Sequence, residues 1–541
     1  MGIALRGYPI LKSFTGQHWF KMLKSKIPLK KSYQLVFMLI MILISGLSNS
    51  CTGPDPVKSH PLRSVVNLSI GESQDILLVN GDQVNIKLID VLEINDELRD
   101  AVREAHVKVS MDGEEVTIIS GNYYLPVNVG NVKIDCPVTG GYVKNCRIDD
   151  YGFDKDARIR IWPEDSPYMT PGTFIYPVNQ RWFADNSQMG NEPVFVDWGE
   201  HVSEKLIQYH PWTDFGGAEE MVEVFAAVTG TVIICGEDTL PGYEDLPVEP
   251  RYDVIVMVDD KGWVYRYSHL FSTDPAVFPG AKIEMGQKIA VLGKEGGSGG
   301  WAHLHFAVYY RQLSGKWAVE DAYPYIWEAY VNQYQPPVIA VARPHRLAYT
   351  GQSVPLDGRK SKSFTGEIAT YEWILSDGSE ATGPILEKKY HSPGTYSEIL
   401  KVTDSEGKID YDYTVVQIRN RIEPEKMPPT IHAAYHPSLN INPGDPITFK
   451  VRTFRSETGS EVWDFGDGTP PVEVQSVMER YIKSESKGFI EYGYDPLKGK
   501  YAETIHAFSK PGHYIVKVER LNELGYKAMA HLHVEVVPAD D

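Results

Sequence analysis

The chain has 541 residues, 42% hydrophobic and 11% aromatic, material for about three to four packed domains. Its formal net charge is −19, and residues 1–50 hold seven Lys/Arg and no acid, so the remainder is more acidic still. A body of that sign excludes nucleic acid as the expected partner and leaves the fold open.

The N-terminus reads as a targeting segment. Lys21–Lys31 is basic, and Leu35–Leu47 is a largely apolar run of 13 residues, shorter than the ~20 a spanning helix needs. Small and polar residues then lead to Cys51. This layout resembles a bacterial lipoprotein signal peptide over residues 1–51, with Cys51 as the lipidated residue. Ser48-Asn49-Ser50 depart from it, because an aliphatic residue usually stands three before the cysteine. Met22–Ser50 alone would make a signal of ordinary size, so Met22 is the expected true start. The resemblance implies a cell-envelope protein held to a membrane by a lipid anchor, at the outer membrane or on the periplasmic face. Export permits disulfides. Cys136 and Cys146 lie in a strand-rich stretch and form a disulfide candidate. Cys235 ends the apolar run Thr231-Val-Ile-Ile-Cys and reads as a buried thiol.

Residues 52–62 are Pro-rich and polar, a tether. Residues 63–175 alternate apolar and polar residues in short runs separated by Asn80-Gly81, Asp112-Gly113 and Gly140-Gly141, which predicts a β-rich N-terminal domain. Asp96–Ala105 reads as one short helix.

Residues 176–334 form the next unit. Val222–Ile234 reads as two strands around Thr229-Gly230. Tyr252–Val258 and Trp263–Tyr267 flank Asp259-Asp260-Lys261-Gly262, a hairpin signal. Lys282–Leu292 is interrupted by Gly286, and Glu320–Tyr334 reads as a closing helix. This unit carries the chemistry. A glycine-rich stretch, Gly296-Gly-Ser-Gly-Gly-Trp-Ala302, runs into His303-Leu-His305. On a strand, residues two apart share a face, so both imidazoles look into one space. Upstream stand His210-x-x-x-Asp214 and His269, at the end of a strand-like run. Two histidines and a carboxylate make a catalytic zinc site with an open fourth position. Two further histidines can then move protons near neutral pH.

Gln335-Pro336-Pro337 marks a boundary, and two similar units follow at 338–420 and 429–538. Each has a Trp-containing strand (Trp373, Trp463), an Asp-Gly turn, then a Pro-Gly turn before an alternating strand. That is an internal repeat of immunoglobulin-like β-sandwich type. A second His-Leu-His, His531–His533, sits in the last of these strands. It has no glycine-rich approach and no His-x-x-x-Asp partner, and it reads as a polar strand face. The whole chain is expected to be mainly β.

Together, His210-x-x-x-Asp214, Tyr267-Ser-His269-Leu and His303-Leu-His305 resemble the lysostaphin-type zinc metallopeptidases over roughly 170–330. Ala227-Val-Thr-Gly-Thr-Val232 and Gly280–Ala290 followed by Gly293 fit the same pattern. The resemblance implies an antiparallel β-sheet with a narrow groove over one zinc ion. By position, the metal ligands would be His210, Asp214 and His305, and the catalytic histidines His269 and His303. It also implies a zinc endopeptidase acting on peptide bonds, in peptidoglycan stem peptides or cross-links. The alternatives are a non-catalytic peptidoglycan-binding or regulatory envelope protein on the same fold, or a secreted protease for glycine-rich proteins. Three positions depart from the pattern: Trp212 stands two after the first ligand, where Gly is usual; Trp301-Ala302 replace a common Gly-Pro; Ala307 stands where Glu is frequent. They fall along the groove and bear on substrate preference. The downstream units resemble PKD domains, most closely in Trp463-Asp-Phe-Gly-Asp-Gly468. This implies spacer or binding modules that are dispensable for the chemistry, with Asp464 and Asp467 as turn formers.

Overall fold

The computed structural model describes residues 62–144, 151–197, 202–312, 314–478 and 499–538. Cys51, the apolar run before it and Cys146 lie outside these. Among the described residues no helix is long and apolar enough to cross a membrane.

The chain is mainly β, as its alternating patterns require. Residues 62–163 make two four-stranded antiparallel sheets. One is the meander Ser73–Leu77, Gln83–Asp96, Ala101–Met111, Glu114–Gly121; the other runs Ser64–Leu68, Ala157–Pro163, Val132–Thr139, Val127–Val129. Leu68, Ile86, Leu88, Val107, Val109, Ile134, Ile159 and Ile161 form the shared core. The helix expected at Asp96–Ala105 is instead a hairpin corner. Asp96 Oδ1 accepts from the backbone N–H of Leu98 and Arg99, Asp100 turns with φ 49°, and the return strand begins at Ala101. Asp-rich sequence favours such turns as readily as a helix start. The alternation Val107-x-Val109-x-Met111, all buried, decides for strand. Cys136 is buried with a free thiol, pushed up to about 12 by burial, so the expected Cys136–Cys146 pair is described at one end only. Cys235 is half-buried, not buried, with Sγ 3.3 Å from Val277 O.

The central sheet of the next unit runs Asp238–Thr239, Gly230–Cys235, Ile255–Val258, Val264–Ser268, His303–Arg311, Thr213–Gly216, Ser187–Gln188. His303–Arg311 is buried along almost its whole length, which is why it reads as a near-continuous apolar run after the histidines. A smaller sheet of Glu223–Phe225, Lys288–Leu292 and Leu270–Thr273 lies beside it. The closing helix is Tyr323–Tyr334, with Pro324 in its first turn and Gln335 as a left-handed cap whose N–H donates to Val331 O. Pro336 disfavours helical backbone at Gln335 and so ends the helix there. A buried charge cluster ties this unit to the N-terminal sheets: Glu320 holds Arg63 and Arg160, and Arg160 also holds Asp135.

The two downstream sandwiches repeat one plan. Trp373 pairs across to Leu400 and Trp463 to Val518, each tryptophan fully buried on the strand beside the one that follows its Pro-Gly turn. The repeats are fused, because Gly394–Thr395 pair in parallel with Lys527–Ala528 and join both into one nine-stranded sheet. Asp377, Asp464 and Asp467 each accept the backbone N–H two residues on, which is turn chemistry. His531 and His533 are not on a solvated face. They are buried between the sandwiches, with His533 Nε2 2.9 Å from His513 Nδ1 and its ring against Tyr411. The first sandwich packs onto this strand and takes away the solvent that an edge strand would otherwise have.

Candidate metal centre

The His303–Arg311 strand is the axis of the site. On one side Asp214 lies opposite His305; on the other, Ser268 lies opposite His305 and Arg266 opposite Ala307. Strand pleat therefore puts His303, His305, Asp214 and Arg266 on one face. His210 ends the strand Val202–His210 and reaches the same point. Its Nε2 is 3.1 Å from Asp214 Oδ2, and His305 Nδ1 is 3.0 Å from Asp214 Oδ1. His303 Nε2 lies 3.5 Å from Asp214 Oδ2. The His269 ring is 4.6 Å from that of His303 and 5.6 Å from that of His305. Two overlapping groups thus have all their ligand atoms within 4.8 Å: His210, Asp214, His305 and His269, His303, His305. The structure brings together all five residues singled out from the sequence.

Three of the four histidines are held by the other nitrogen or by the backbone. His210 Nδ1 bonds to Trp212 O at 3.1 Å, and His303 Nδ1 to Trp301 O at 3.1 Å, which leaves Nε2 of both rings as the free donor atom. His269 sits at a corner with φ 65°, a conformation that costs a non-glycine residue about 1–3 kcal/mol and marks functional sites. It is kept there by Asp253, which accepts its backbone N–H at 2.9 Å, and by Glu295 O, 2.6 Å from Nδ1. Gly293 bridges the two candidate proton carriers: its N–H donates to His269 O and its C=O accepts from His303 N.

Burial sets the charge state. It lowers His210 to about 3 and takes His303 and His305 well below the usual imidazole range. His269 is lowered as well. Burial pushes Asp214 well above the usual carboxylate range. Burial also opposes ionisation of Asp253, but bonds from His269 and Arg251 outweigh it and carry that carboxyl down. Neutral imidazoles are the form that ligates metal. Asp214 Oδ1 and His305 Nε2 are buried without a hydrogen-bond partner. A divalent cation supplies the charge that a buried carboxylate among neutral rings lacks, so this donor set fits one.

Residues with no sequence motif of their own complete the site. Asp253 and Glu295 position His269. Trp212 packs on the His305 ring at 4.8 Å, and Trp301 stacks on the His303 ring at 3.9 Å and 17°. Two of the three departures from the expected pattern are therefore aromatic clamps on site histidines. The cleft above the cluster measures about 490 Å³. Its walls include Arg99 and Glu192 from upstream segments and His345, Arg346 and Val415 from the first sandwich. The first sandwich is thus part of the cleft, which the spacer reading did not foresee.

A mainly β chain with a buried His/Asp cluster between an antiparallel sheet and a cleft defines a candidate metal site on a β scaffold. The Peptidase family M23 profile matches residues 208–317, and that segment is an M23 peptidase domain; residues 334–418 match the PKD domain profile. Among curated proteins, the chain is 33% identical over 94 residues to Dyslexia-associated protein KIAA0319-like protein of Mus musculus, 16% of this chain and 9% of the mouse protein. It is 26% identical over 179 residues to Collagenase ColA of Bacillus cereus, 31% of this chain and 17% of that one. The chain thus spans under a fifth of the length of either relative. Among solved structures, lysostaphin is similar at 14% identity and TM-score 0.20, covering 45% of this chain and 91% of that one. A zinc-containing peptidase of Vibrio cholerae is similar at 16% identity and TM-score 0.18, covering 40% and 81%.

Proposed function

We propose that the chain is a zinc-dependent endopeptidase of the cell envelope that hydrolyses peptide bonds in peptidoglycan stem peptides or cross-links. The convergence of His210, Asp214 and His305 on one point, with His269 and His303 beside it, carries this reading. A non-catalytic binding protein has no need of all five. His210, Asp214 and His305 hold the zinc. When bound, it supplies Lewis acidity to the scissile carbonyl and acidifies water. His303 and His269, neutral through burial, take the proton of the attacking water and return it to the leaving amine.

The cleft also suits one kind of peptide. Four guanidiniums line it, those of Arg99, Arg251, Arg266 and Arg346, on a chain of net charge −19. Arg99 is paired with Asp96 and Arg251 with Asp253. Arg266 faces Ala307, where a glutamate is frequent in the resembled family, and its Nε bonds only to Ser268 Oγ at 2.7 Å. No ion pair of Arg346 occurs among the described residues, and burial lowers it to about 10. Two guanidiniums in no ion pair among the described residues favour a substrate that brings its own carboxylates, as stem peptides do and glycine bridges do not. Digestion of purified peptidoglycan, with mass spectrometry of the fragments, tests the reading. New amino termini within stem peptides or cross-links, lost on chelation and restored by zinc, are expected. Intact wall after zinc loading overturns it. Amidation of the substrate carboxylates should slow cleavage.

The basic run, the short apolar core and Cys51 support attachment to a membrane through a lipidated Cys51. In a Cys51→Ala variant the protein should leave the membrane fraction or fail to mature. Unchanged fractionation would refute the anchor.

A further inference from the structure

The loop that delivers His303 is poorly suited to hold anything still by itself. Gly296, Gly299 and Gly300 all have left-handed backbone, with φ of 64°, 66° and 80°. A stretch so rich in glycine has much conformational freedom to lose. A proton carrier, by contrast, needs placement to a fraction of an ångström. From its own domain the loop receives few anchors. Tyr252 OH accepts from Gly296 N at 2.9 Å, Ser298 Oγ accepts from Gly300 N at 3.1 Å and donates to Lys294 O, and Gly217 N donates to Ala302 O at 3.2 Å.

Further anchoring comes from the second sandwich, well over a hundred residues downstream. Tyr501 OH accepts the N–H of Ala302, the residue before His303, at 2.9 Å. Arg452 Nη1 donates to Gly300 O at 2.7 Å. Between these two anchored residues stands Trp301, with one ring face stacked on His303 and its indole 5.4 Å from the ring of His432. Tyr501 is itself fixed. Its oxygen accepts from Ala302, so its own proton is free to donate to His432 Nδ1, 2.7 Å away. On its other side the His432 Nε2 lies 3.2 Å from Asp185 Oδ1, within ion-pair distance. Asp185 belongs to the segment leading into the metal-bearing sheet. The chain Asp185, His432, Tyr501, Ala302 thus starts and ends in the peptidase unit and passes through the sandwich. His432 and Asp185 are each 3% exposed, Tyr501 is half-buried, and Arg452, which holds Gly300 separately, is 0% exposed.

We infer that the second β-sandwich is part of the catalytic unit, with Tyr501, backed by His432 and Asp185, acting as a positioning residue that fixes the 296–302 loop and through it the His303 imidazole. The inference rests on the reading that His303 moves protons in peptide hydrolysis.

The test uses the full chain with Tyr501→Phe, which deletes one oxygen, and His432→Ala, which deletes its support. Tyr514→Phe serves as control, since its hydroxyl bonds to Lys510 O on the exposed surface of the same sandwich. Three quantities are read in each: metal content with melting temperature, kcat and KM on a soluble peptide, and amide hydrogen exchange of the loop. For Tyr501→Phe we expect unchanged metal, melting temperature and KM, a kcat lower by about tenfold, the worth of one hydrogen bond, and faster exchange at Ala302. His432→Ala should move kcat and exchange in the same direction, and Tyr514→Phe should move neither. Unchanged kcat and exchange in Tyr501→Phe overturns the inference. So does a kcat loss that only follows lost metal or lost fold. If the unaltered, zinc-loaded chain cleaves no peptide, the functional reading fails instead; the exchange at Ala302 still decides whether the sandwich holds the loop.

Discussion

His305→Ala and His210→Ala should each lose bound metal together with turnover, whereas His303→Ala and His269→Ala should keep the metal and lose rate by about 10²–10⁴-fold. The structure offers two overlapping triads that share His305, so the split is a real choice between them. Asp214 decides it. It is the only carboxyl group in either triad, and both His210 and His305 present a ring nitrogen to it within about 3 Å. A dication gains most where an otherwise uncompensated buried carboxylate is a ligand, so it belongs with His210, Asp214 and His305. His269 and His303 retain their own supports, the Glu295 and Trp301 carbonyls, and removing either ring leaves the other triad whole. His533→Ala should change neither metal nor rate, because His533 is packed between the sandwiches against His513 and Tyr411. Elemental analysis beside turnover on a defined peptide reads all five variants. If His303→Ala strips the metal while His305→Ala keeps it, the two roles are reversed. If His533→Ala removes the metal, the site is misplaced altogether.

What the sequence made legible is what period and spacing carry. The two-residue spacing of His303 and His305 places them on one face of a strand, and the strand is there. Asp259-Asp260-Lys261-Gly262 forecasts the hairpin that aligns Ile255 with Tyr267, and Trp373 and Trp463 sit at matching points of a repeated sandwich. What was not legible depends on partners far away in the chain. Nothing around Asp253 signals that its carboxylate holds His269, because the bond closes only when two hairpin strands and a corner with positive φ meet. Nothing around Tyr501 signals Ala302. The Asp96–Ala105 helix failed for a local reason: acidic residues at 96, 97 and 100 fit a helix start and a turn alike, and only pairing with the neighbouring strand separates them. His531 and His533 read as a polar strand face, yet both are buried: periodicity shows which residues share a face, not what covers it.

Truncation after Gln335 should lower turnover on soluble wall peptides by roughly 10²-fold, the cost of an ångström-scale misplacement of a reacting group, while metal content falls little. All three ligand residues and the strands that pair them lie before the cut, so the metal keeps its ligands. The loop and the cleft do not survive as well. The cut removes Tyr501 from Ala302 and Arg452 from Gly300. It removes Arg346 and His345 from the cleft wall. It also strips the 181–187 segment, where Arg343 bonds to the carbonyls of Asp185 and Ser187 and covers the Phe183 ring at 4.4 Å, and Arg181 pairs with Asp410 at 2.6 Å. Ala184 packs inside the core of the second sandwich and would be bared. The sandwiches are therefore expected to matter even on soluble fragments, where attachment to the wall plays no part. A truncated chain that stays folded and cleaves such fragments at the full-length rate would show that the contacts are architectural, and that the loop before His303 keeps its shape unaided. A loss confined to insoluble wall would say the same, and would return the sandwiches to the role of spacers.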